Sequence, residues 1–180
     1  LSPSFTKTFY NYYTYTAPST VTDVTVNAVV DDTGNATIIS GTGTYNINNT
    51  REVNIVVQAE DGTQSSYVLK LVRSKSSNNN LKSLSIDGYN LNEQFDPSKT
   101  LYTANVSGDV TKVNISAEVE DEGNATIVSG LGEKNLVVGT NTVQVRVKAE
   151  NGTTKDYTIT IIRAKKTIAL LSDLKVNGTT

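Results

Sequence analysis

Residues 34–38 read Gly34-Asn35-Ala36-Thr37-Ile38 and residues 123–127 read Gly123-Asn124-Ala125-Thr126-Ile127, each run followed closely by Ser-Gly-x-Gly. Laid against itself at a shift of about 90, the chain stays in register far beyond these five residues. Ala59-Glu60-Asp61-Gly62-Thr63 falls on Ala149-Glu150-Asn151-Gly152-Thr153, then Tyr67 on Tyr157 and Arg73 on Arg163. Self-similarity at a fixed period marks a tandem array of one structural unit. Leu81-x-x-Leu84-x-Ile86-x-Gly88 recurs as Leu171-x-x-Leu174-x-Val176-x-Gly178, and nothing equivalent precedes Leu1. The repeat predicts a first domain over 1–73 that lacks its opening strand, a polar linker over 74–80 and a complete domain over 81–163. A second linker over 164–170 and a spare opening strand over 171–180 follow. Leu1 matches Leu91 and Thr180 matches Asn90, so the expectation is two whole periods of a longer protein.

Hydrophobic alternation supplies the element type. Val113, Ile115, Ala117 and Val119 share one face, as do Val143, Val145, Val147 and Ala149, which is the period of half-buried strands. Asp61-Gly62 and Asn151-Gly152 separate alternating runs and suggest type I′ hairpin turns. After them Tyr67, Leu69 and Leu71, or Tyr157, Ile159 and Ile161, are expected in the core. Ala164 to Lys175 carries mixed three- and four-residue apolar steps, but its repeat partner contains Asn78-Asn79-Asn80, which argues against a helix. Turns at Asp96-Pro97, Glu122-Gly123-Asn124, Gly130-Leu131-Gly132 and Gly139-Thr140-Asn141 divide the complete unit into about seven strands. That is the count of an immunoglobulin-like sandwich. The predicted fold is therefore all-β, a tandem of immunoglobulin-like antiparallel β-sandwiches.

Composition narrows function by exclusion. Sixteen basic residues stand against eighteen acidic ones, which argues against a nucleic-acid partner held by a broad basic surface. Cys and His are absent, removing thiol nucleophiles, disulfides, His-based dyads and most transition-metal sites. No apolar run approaches the roughly 20 residues of a membrane-spanning helix, so no membrane insertion is expected.

Several linked motifs then carry a family resemblance: Leu81-x-x-Leu84-x-Ile86-x-Gly88, Phe95-Asp96-Pro97, Tyr102-Thr103-Ala104-x-Val106, Gly139-Thr140-Asn141, and Ala149-Glu150-Asn151-Gly152-Thr153 followed by Tyr157-x-Ile159-x-Ile161-x-Arg163. They resemble the bacterial cadherin-like β-sandwich repeat, found in tandem in secreted and cell-surface proteins. The first unit departs from this pattern where Thr6-Lys7 replaces Asp-Pro and Asn49-Thr50-Arg51 replaces Gly-Thr-Asn. The resemblance implies an extracellular, non-enzymatic spacer, stalk or accessory module, and it carries no catalytic residues.

The candidate sites follow from residue chemistry. Asp31, Asp32, Glu120 and Asp121, with Glu118 and Glu122 nearby, are the best calcium candidates, because calcium takes several carboxylate and carbonyl oxygens. Asp-x-Gly-Asn reads equally as turn chemistry, and that is the favoured reading; no resident cofactor is expected. Tyr10 and Tyr12 are expected outward, with Tyr13 and Tyr15 inward, making Tyr10 and Tyr12 a candidate face for a cell-surface glycan or partner. Glu60 and Asp61 form the weakest candidate, a carboxylate pair for hydrolysis. Leu171, Leu174 and Val176 are the candidate donor strand. A sandwich without an edge strand exposes unpaired backbone beside an open groove, and the tail of one copy could enter the first domain of the next by strand addition. Neighbouring copies, joined head-to-tail, are thus the expected partners; an array boundary falling within a repeat is the competing explanation.

Overall fold

The computed structural model describes residues 1–8, 12–171 and 173–175, and every regular element among them is a β-strand. The chain divides into two units, Leu1–Ser76 and Ser77–Thr180.

The second unit holds seven strands: β7 (Leu81–Ile86), β8 (Leu101–Val106), β9 (Lys112–Val119), β10 (Thr126–Ser129), β11 (Gly132–Asn135), β12 (Gly139–Lys148) and β13 (Thr154–Arg163). They form one sheet in the order β10-β12-β13-β8 and another in the order β11-β9-β7. Alternation explains the layers. Along β12, Val143, Val145 and Val147 are buried while Thr142, Gln144 and Arg146 face outward. Sixteen buried apolar residues make one core, to which β7 contributes Leu81, Leu84 and Ile86. Two tyrosines close its end. The Tyr102 hydroxyl donates to the Asp96 carbonyl (2.7 Å) and accepts from the Asp96 N–H (3.1 Å), and the Tyr157 hydroxyl donates to the Pro97 carbonyl (2.7 Å) and accepts from the Leu81 N–H (3.1 Å). Buried phenols need such partners. Arg163 ties down the far end, donating to the carbonyls of Leu136 and Gly108.

The first unit holds six strands: β1 (Tyr13–Ala17), β2 (Asp23–Val26), β3 (Ala36–Ser40), β4 (Gly43–Asn46), β5 (Glu52–Ala59) and β6 (Gln64–Arg73). Their sheets run β1-β6-β5-β3 and β2-β4, which is the second unit's order without a counterpart of β7 among the described residues. The repeat extends to side-chain clamps. Tyr13 donates to the Thr6 carbonyl at 2.9 Å as Tyr102 does to Asp96, and Arg73 donates to the Ser19 carbonyl as Arg163 does to Gly108. Its core is much smaller, seven buried apolar residues.

Two expectations are corrected here. Tyr15 occupies the position of Ala104 and points to the inner face, yet it is 38% exposed, because among the described residues no β7 equivalent lies over it. The hairpins are not type I′. Among the described residues none other than Gly has positive φ, whereas Gly62 and Gly152 do. The Gly62 N–H bonds the Ala59 carbonyl and the Ala59 N–H bonds the Thr63 carbonyl, with the same pair at Gly152 and Ala149. This is a type I turn followed by a left-handed Gly, the arrangement of a G1 bulge. Residues 164–171 form no helix, as the repeat rather than the apolar spacing indicated.

Ser-Gly-x-Gly also acquires a reason. The β3–β5 and β10–β12 ladders both shift register, after Ile38 and after Ile127. Gly41 and Gly130 follow these bulges with φ of 93° and 101°, and a Cβ on either would collide with the carbonyl of Asn54 or Gln144. Gly130→Ala combines left-handed strain with a backbone clash, so it is expected to destabilise the second unit by about 2–4 kcal/mol. Urea unfolding of the variant against the parent checks this, and a change under ~0.5 kcal/mol would mean that the bulge relaxes freely.

Candidate functional site

In the second unit β9 has two halves with different neighbours. Residues 112–115 pair with β11, and residues 115–119 pair with β7, Ile115 opposite Ile86, Ala117 opposite Leu84 and Val119 opposite Leu81. In the first unit β2 pairs with β4 over Asp23–Val26, the counterpart of 112–115. Residues 27–30, the counterpart of 116–119, form no strand. Eight residues of β9 thus correspond to four of β2. The sequence over 26–30, Val26-Asn27-Ala28-Val29-Val30, is a competent strand former; among the described residues it has no hydrogen-bonding neighbour on that side.

Beside it lies a cavity of ≈ 550 Å³ whose walls include Tyr13, Val26, Ala28, Ile55, Tyr67 and Leu69. A second of ≈ 450 Å³ shares Val26 and Leu69 and reaches Tyr15, Val24 and Leu71. Together they trace the inner face that Leu81, Leu84 and Ile86 fill in the second unit. Phe5 stands at the mouth, 58% exposed, with ring centroids 5.5 Å from Tyr13 and 5.9 Å from Tyr67. The equivalent Phe95 is half-buried against Tyr102 and Tyr157.

The candidate donor residues Leu171 and Leu174 are 79% and 77% exposed, whereas Leu81 and Leu84 are buried; Val176 lies outside the described residues. Of the candidate aromatic face, Tyr12 is 60% exposed and Tyr10 lies outside the described residues.

The carboxylates proposed for calcium are engaged elsewhere. Asp31 pairs with Lys7 at 2.9 Å. Asp32 accepts from the Asn35 amide (3.0 Å) and the Gly34 N–H (3.2 Å), which hold its carboxyl below the ordinary range, the Asn35 bond contributing most. Asp121 accepts from the Asn124 amide at 2.9 Å. Glu120 accepts from the amides of Asn80 (3.0 Å) and Asn78 (3.1 Å), which lower its pKa in that order. Glu122 pairs with Lys82 at 3.0 Å, between exposed side chains. Asp32 borders an open depression with Glu60 and Asp61, but among the described residues no three acidic side chains gather into a group able to hold a metal ion. Asp61 accepts from the Thr63 N–H at 2.8 Å, a turn bond that lowers its pKa.

One network was not legible as a site. Lys155 donates to the Pro97 carbonyl (2.6 Å) and Asn80 Oδ1 (3.0 Å) and lies 5.0 Å from the Tyr157 ring centre, so Asn80, immediately before β7, is held by both Lys155 and Glu120. Ser65 stands at the Lys155 position of the first unit. Glu120 stands out in sequence only as one of a run of acids, and nothing there marks its link to Lys155 through Asn80.

The lowered carboxyls of the second unit make a pH prediction. Glu120 is held low by Asn80, Asp156 by Arg146, Glu93 by the Thr103 N–H and Asp96 by the Ser98 hydroxyl. Each folded-state pKa lies below its unfolded value. The stabilisation is therefore complete above the unfolded carboxylate pKa of about 4 and is lost as pH falls through the lower folded values. The melting temperature of this unit should hold down to that region and then fall, and a thermal melt series in acid checks it; a decline already complete above pH ~5 would contradict it.

Residues 81–164, a little under half of the chain, match the family model described as a cadherin-like beta sandwich domain. The second unit is a cadherin-like β-sandwich. Solved structures similar to the whole chain include mouse cadherin-23 repeats EC22–24, at 15% identity and TM-score 0.31, covering 84% of this chain and 63% of that one. The protocadherin PcdhgB3 EC1–4 fragment is similar at 11% identity and TM-score 0.31, over 85% of this chain and 49% of that one, so the chain spans about half its length. The fibronectin(III)-like modules of Clostridium thermocellum CbhA are similar at 11% identity and TM-score 0.24, over 90% of this chain and 94% of that one. No curated protein sequence matches the chain.

Proposed function

We propose that the chain is a non-enzymatic structural module of an extracellular protein, a repeat segment of a cell-surface stalk, fibre or filament whose copies join head-to-tail. The observation that carries this reading is the restraint on the last strand of the cadherin-like unit. β13 is held on both edges, by ten residue pairs with antiparallel β12 and six with parallel β8. Tension along β13 loads those ladders in shear, so many hydrogen bonds must fail together rather than one at a time. A chemistry of catalysis finds no comparable support, because Cys and His are absent and Asp61 of the candidate carboxylate pair is held in a turn by the Thr63 N–H. Among the described residues no helix is long and apolar enough to cross a membrane.

Single-molecule stretching tests the reading. The cadherin-like unit should give a discrete unfolding peak with a length gain of about 25–30 nm, from 81–163 at ~3.6 Å per extended residue. Smooth extension without a peak would count against a mechanical role. The exposure of Tyr12 favours a second reading, an accessory module that binds carbohydrate or a protein partner through this face. Glycan binding by the parent that is lost in Tyr12→Ala would establish it.

A further inference from the structure

We infer that Lys155, Asn80 and Glu120 of the cadherin-like unit form a covalent modification site, where Lys155 Nζ and the Asn80 side chain condense into an intramolecular amide with Glu120 as proton carrier.

The three side chains stand in the order this reaction needs. Lys155 Nζ lies 3.0 Å from Asn80 Oδ1, and Asn80 Nδ2 lies 3.0 Å from Glu120 Oε2. The nucleophile is thus at the carbonyl end of the Asn80 amide, and the carboxylate is at the nitrogen that must leave. An ion pair alone would bring ammonium and carboxylate together; here a carboxamide stands between them. Attack needs the reacting atoms within about 3–3.5 Å, and Nζ is already that close to the oxygen carried by Cγ.

The fold holds each group in place. The Asn80 carbonyl accepts from the Glu120 N–H (2.9 Å), the Asn80 N–H donates to Asn78 Oδ1 (2.9 Å), and Glu120 also accepts from the Asn78 amide (3.1 Å). Lys155 is half-buried, donates to the Pro97 carbonyl (2.6 Å) and lies 5.0 Å from the Tyr157 ring centre. Its long side chain has therefore already lost much of the freedom that would oppose reaction. Asn80 immediately precedes β7 and Glu120 immediately follows β9, in one sheet, whereas Lys155 belongs to β13 in the other. The bond ties the two sheets together at the start of β7. In the first unit Ser65 stands at the Lys155 position, which confines the reaction to the second.

Lys155 first gives a proton to Glu120, and the neutral Nζ attacks Asn80 Cγ. The Nζ–Cγ bond forms and the Cγ–Nδ2 bond breaks. Of the three Nζ hydrogens of the lysine ammonium, one stays in the new amide and two pass through Glu120 to Nδ2. Ammonium leaves, Glu120 returns to its carboxylate, and no oxidant, reductant or further reactant is needed. The chain becomes lighter by one ammonia, about 17 Da. Because Nζ attacks only when neutral, the reaction quickens as pH rises toward the ordinary lysine pKa of about 10.

The test is the intact mass of the full chain, incubated folded near pH ~9, beside Lys155→Arg and Glu120→Gln treated alike. Amide exchange over β13 checks that both variants fold as the parent does. The parent should lose about 17 Da, and trypsin should release residues 76–82 joined to 149–163, uncut after Lys155. Lys155→Arg keeps the charge and should keep its full mass. Glu120→Gln keeps an acceptor for the Asn80 amide but carries no proton, so the bond should form at least ~100-fold more slowly. A parent of unchanged mass that trypsin cuts after Lys155 would overturn the inference and leave the three residues a non-covalent clamp. An equal loss in Lys155→Arg would also overturn it, assigning the loss to a succinimide such as one at Asn151-Gly152. So would an equal rate in the urea-unfolded parent, since the fold would then contribute nothing.

The bond diverts tension from Asn80 straight to Lys155, so the bonded chain should gain only about 3 nm, from 156–163. The gain of about 25–30 nm stated above belongs to the unbonded chain and is read in Lys155→Arg. The structural reading thus fails separately, on smooth extension of Lys155→Arg without a peak.

Discussion

Tyr157→Ala is expected to destabilise the cadherin-like unit by about 3–5 kcal/mol, the range for emptying an aromatic site in a core. Tyr157 is completely buried in β13. Its ring packs near Phe95, and its hydroxyl bridges the Pro97 carbonyl and the Leu81 N–H. Truncation leaves a cavity and also deprives the buried Leu81 N–H of its partner, a separate cost of about 1–3 kcal/mol within that total. Tyr157→Phe isolates this second part. The counterpart Tyr67→Ala should cost the first unit roughly 2 kcal/mol or less, because Tyr67 is only partly buried and has no strand above it. Urea unfolding followed by hydrogen exchange, which assigns each loss to its own unit, makes the comparison. Equal losses at the two positions would show that β7 contributes little to the worth of the tyrosine.

The second large effect is the conversion of the cadherin-like unit into a likeness of the first. Leu84→Asp places a carboxylate in the middle of the core-facing row of β7, where no cation is near enough to pair with it among the described contacts; Lys82 faces outward to Glu122. The loss of leucine packing alone is worth about 2–5 kcal/mol, and an unpaired charge cannot remain there. The expected outcome is that β7 leaves the sheet while β11 stays paired with residues 112–115. Amides of 116–119 should then exchange as fast as those of 27–30, with 112–115 still protected. If 116–119 stayed protected after Leu84→Asp, the absence of a β7 equivalent would not explain why β2 is short. The exposed Lys82–Glu122 pair should matter far less, ~0.5 kcal/mol or under.

These two experiments separate what is local from what is not. The inward rows of β12 and β13 were readable because alternation is a property of the strand itself: Val143, Val145, Val147, Tyr157, Ile159 and Ile161 are all buried. The Tyr15 expectation failed on the same logic. Alternation placed it correctly on the inner face, but whether that face is covered depends on a strand supplied from elsewhere. The hairpin error had a different origin. Asp-Gly and Asn-Gly suit a two-residue type I′ loop, yet Ala59–Thr63 and Ala149–Thr153 pair outside the turn in a way that lets Gly alone take positive φ. The uncovered inner face of the first unit was anticipated from the repeat. Phe5 at its mouth and the Lys155–Asn80–Glu120 network were not, because no spacing marks them. The acidic cluster looked continuous as a string of letters, while the structure distributes its members to Lys7, Asn35, Asn80, Asn124 and Lys82.

Sequence alone therefore determined the repeat, the all-β sandwich and the inward rows, since each rests on patterns carried within short stretches or on comparing one stretch with another. Only the tertiary structure decided that residues 27–30 come out of the sheet, that Tyr15 is uncovered and that Asp31, Asp32, Glu120, Asp121 and Glu122 each have a partner of their own. A strand's hydrogen bonds and the cover over its inner face come from residues far away in the chain, and no local pattern records whether those residues are there.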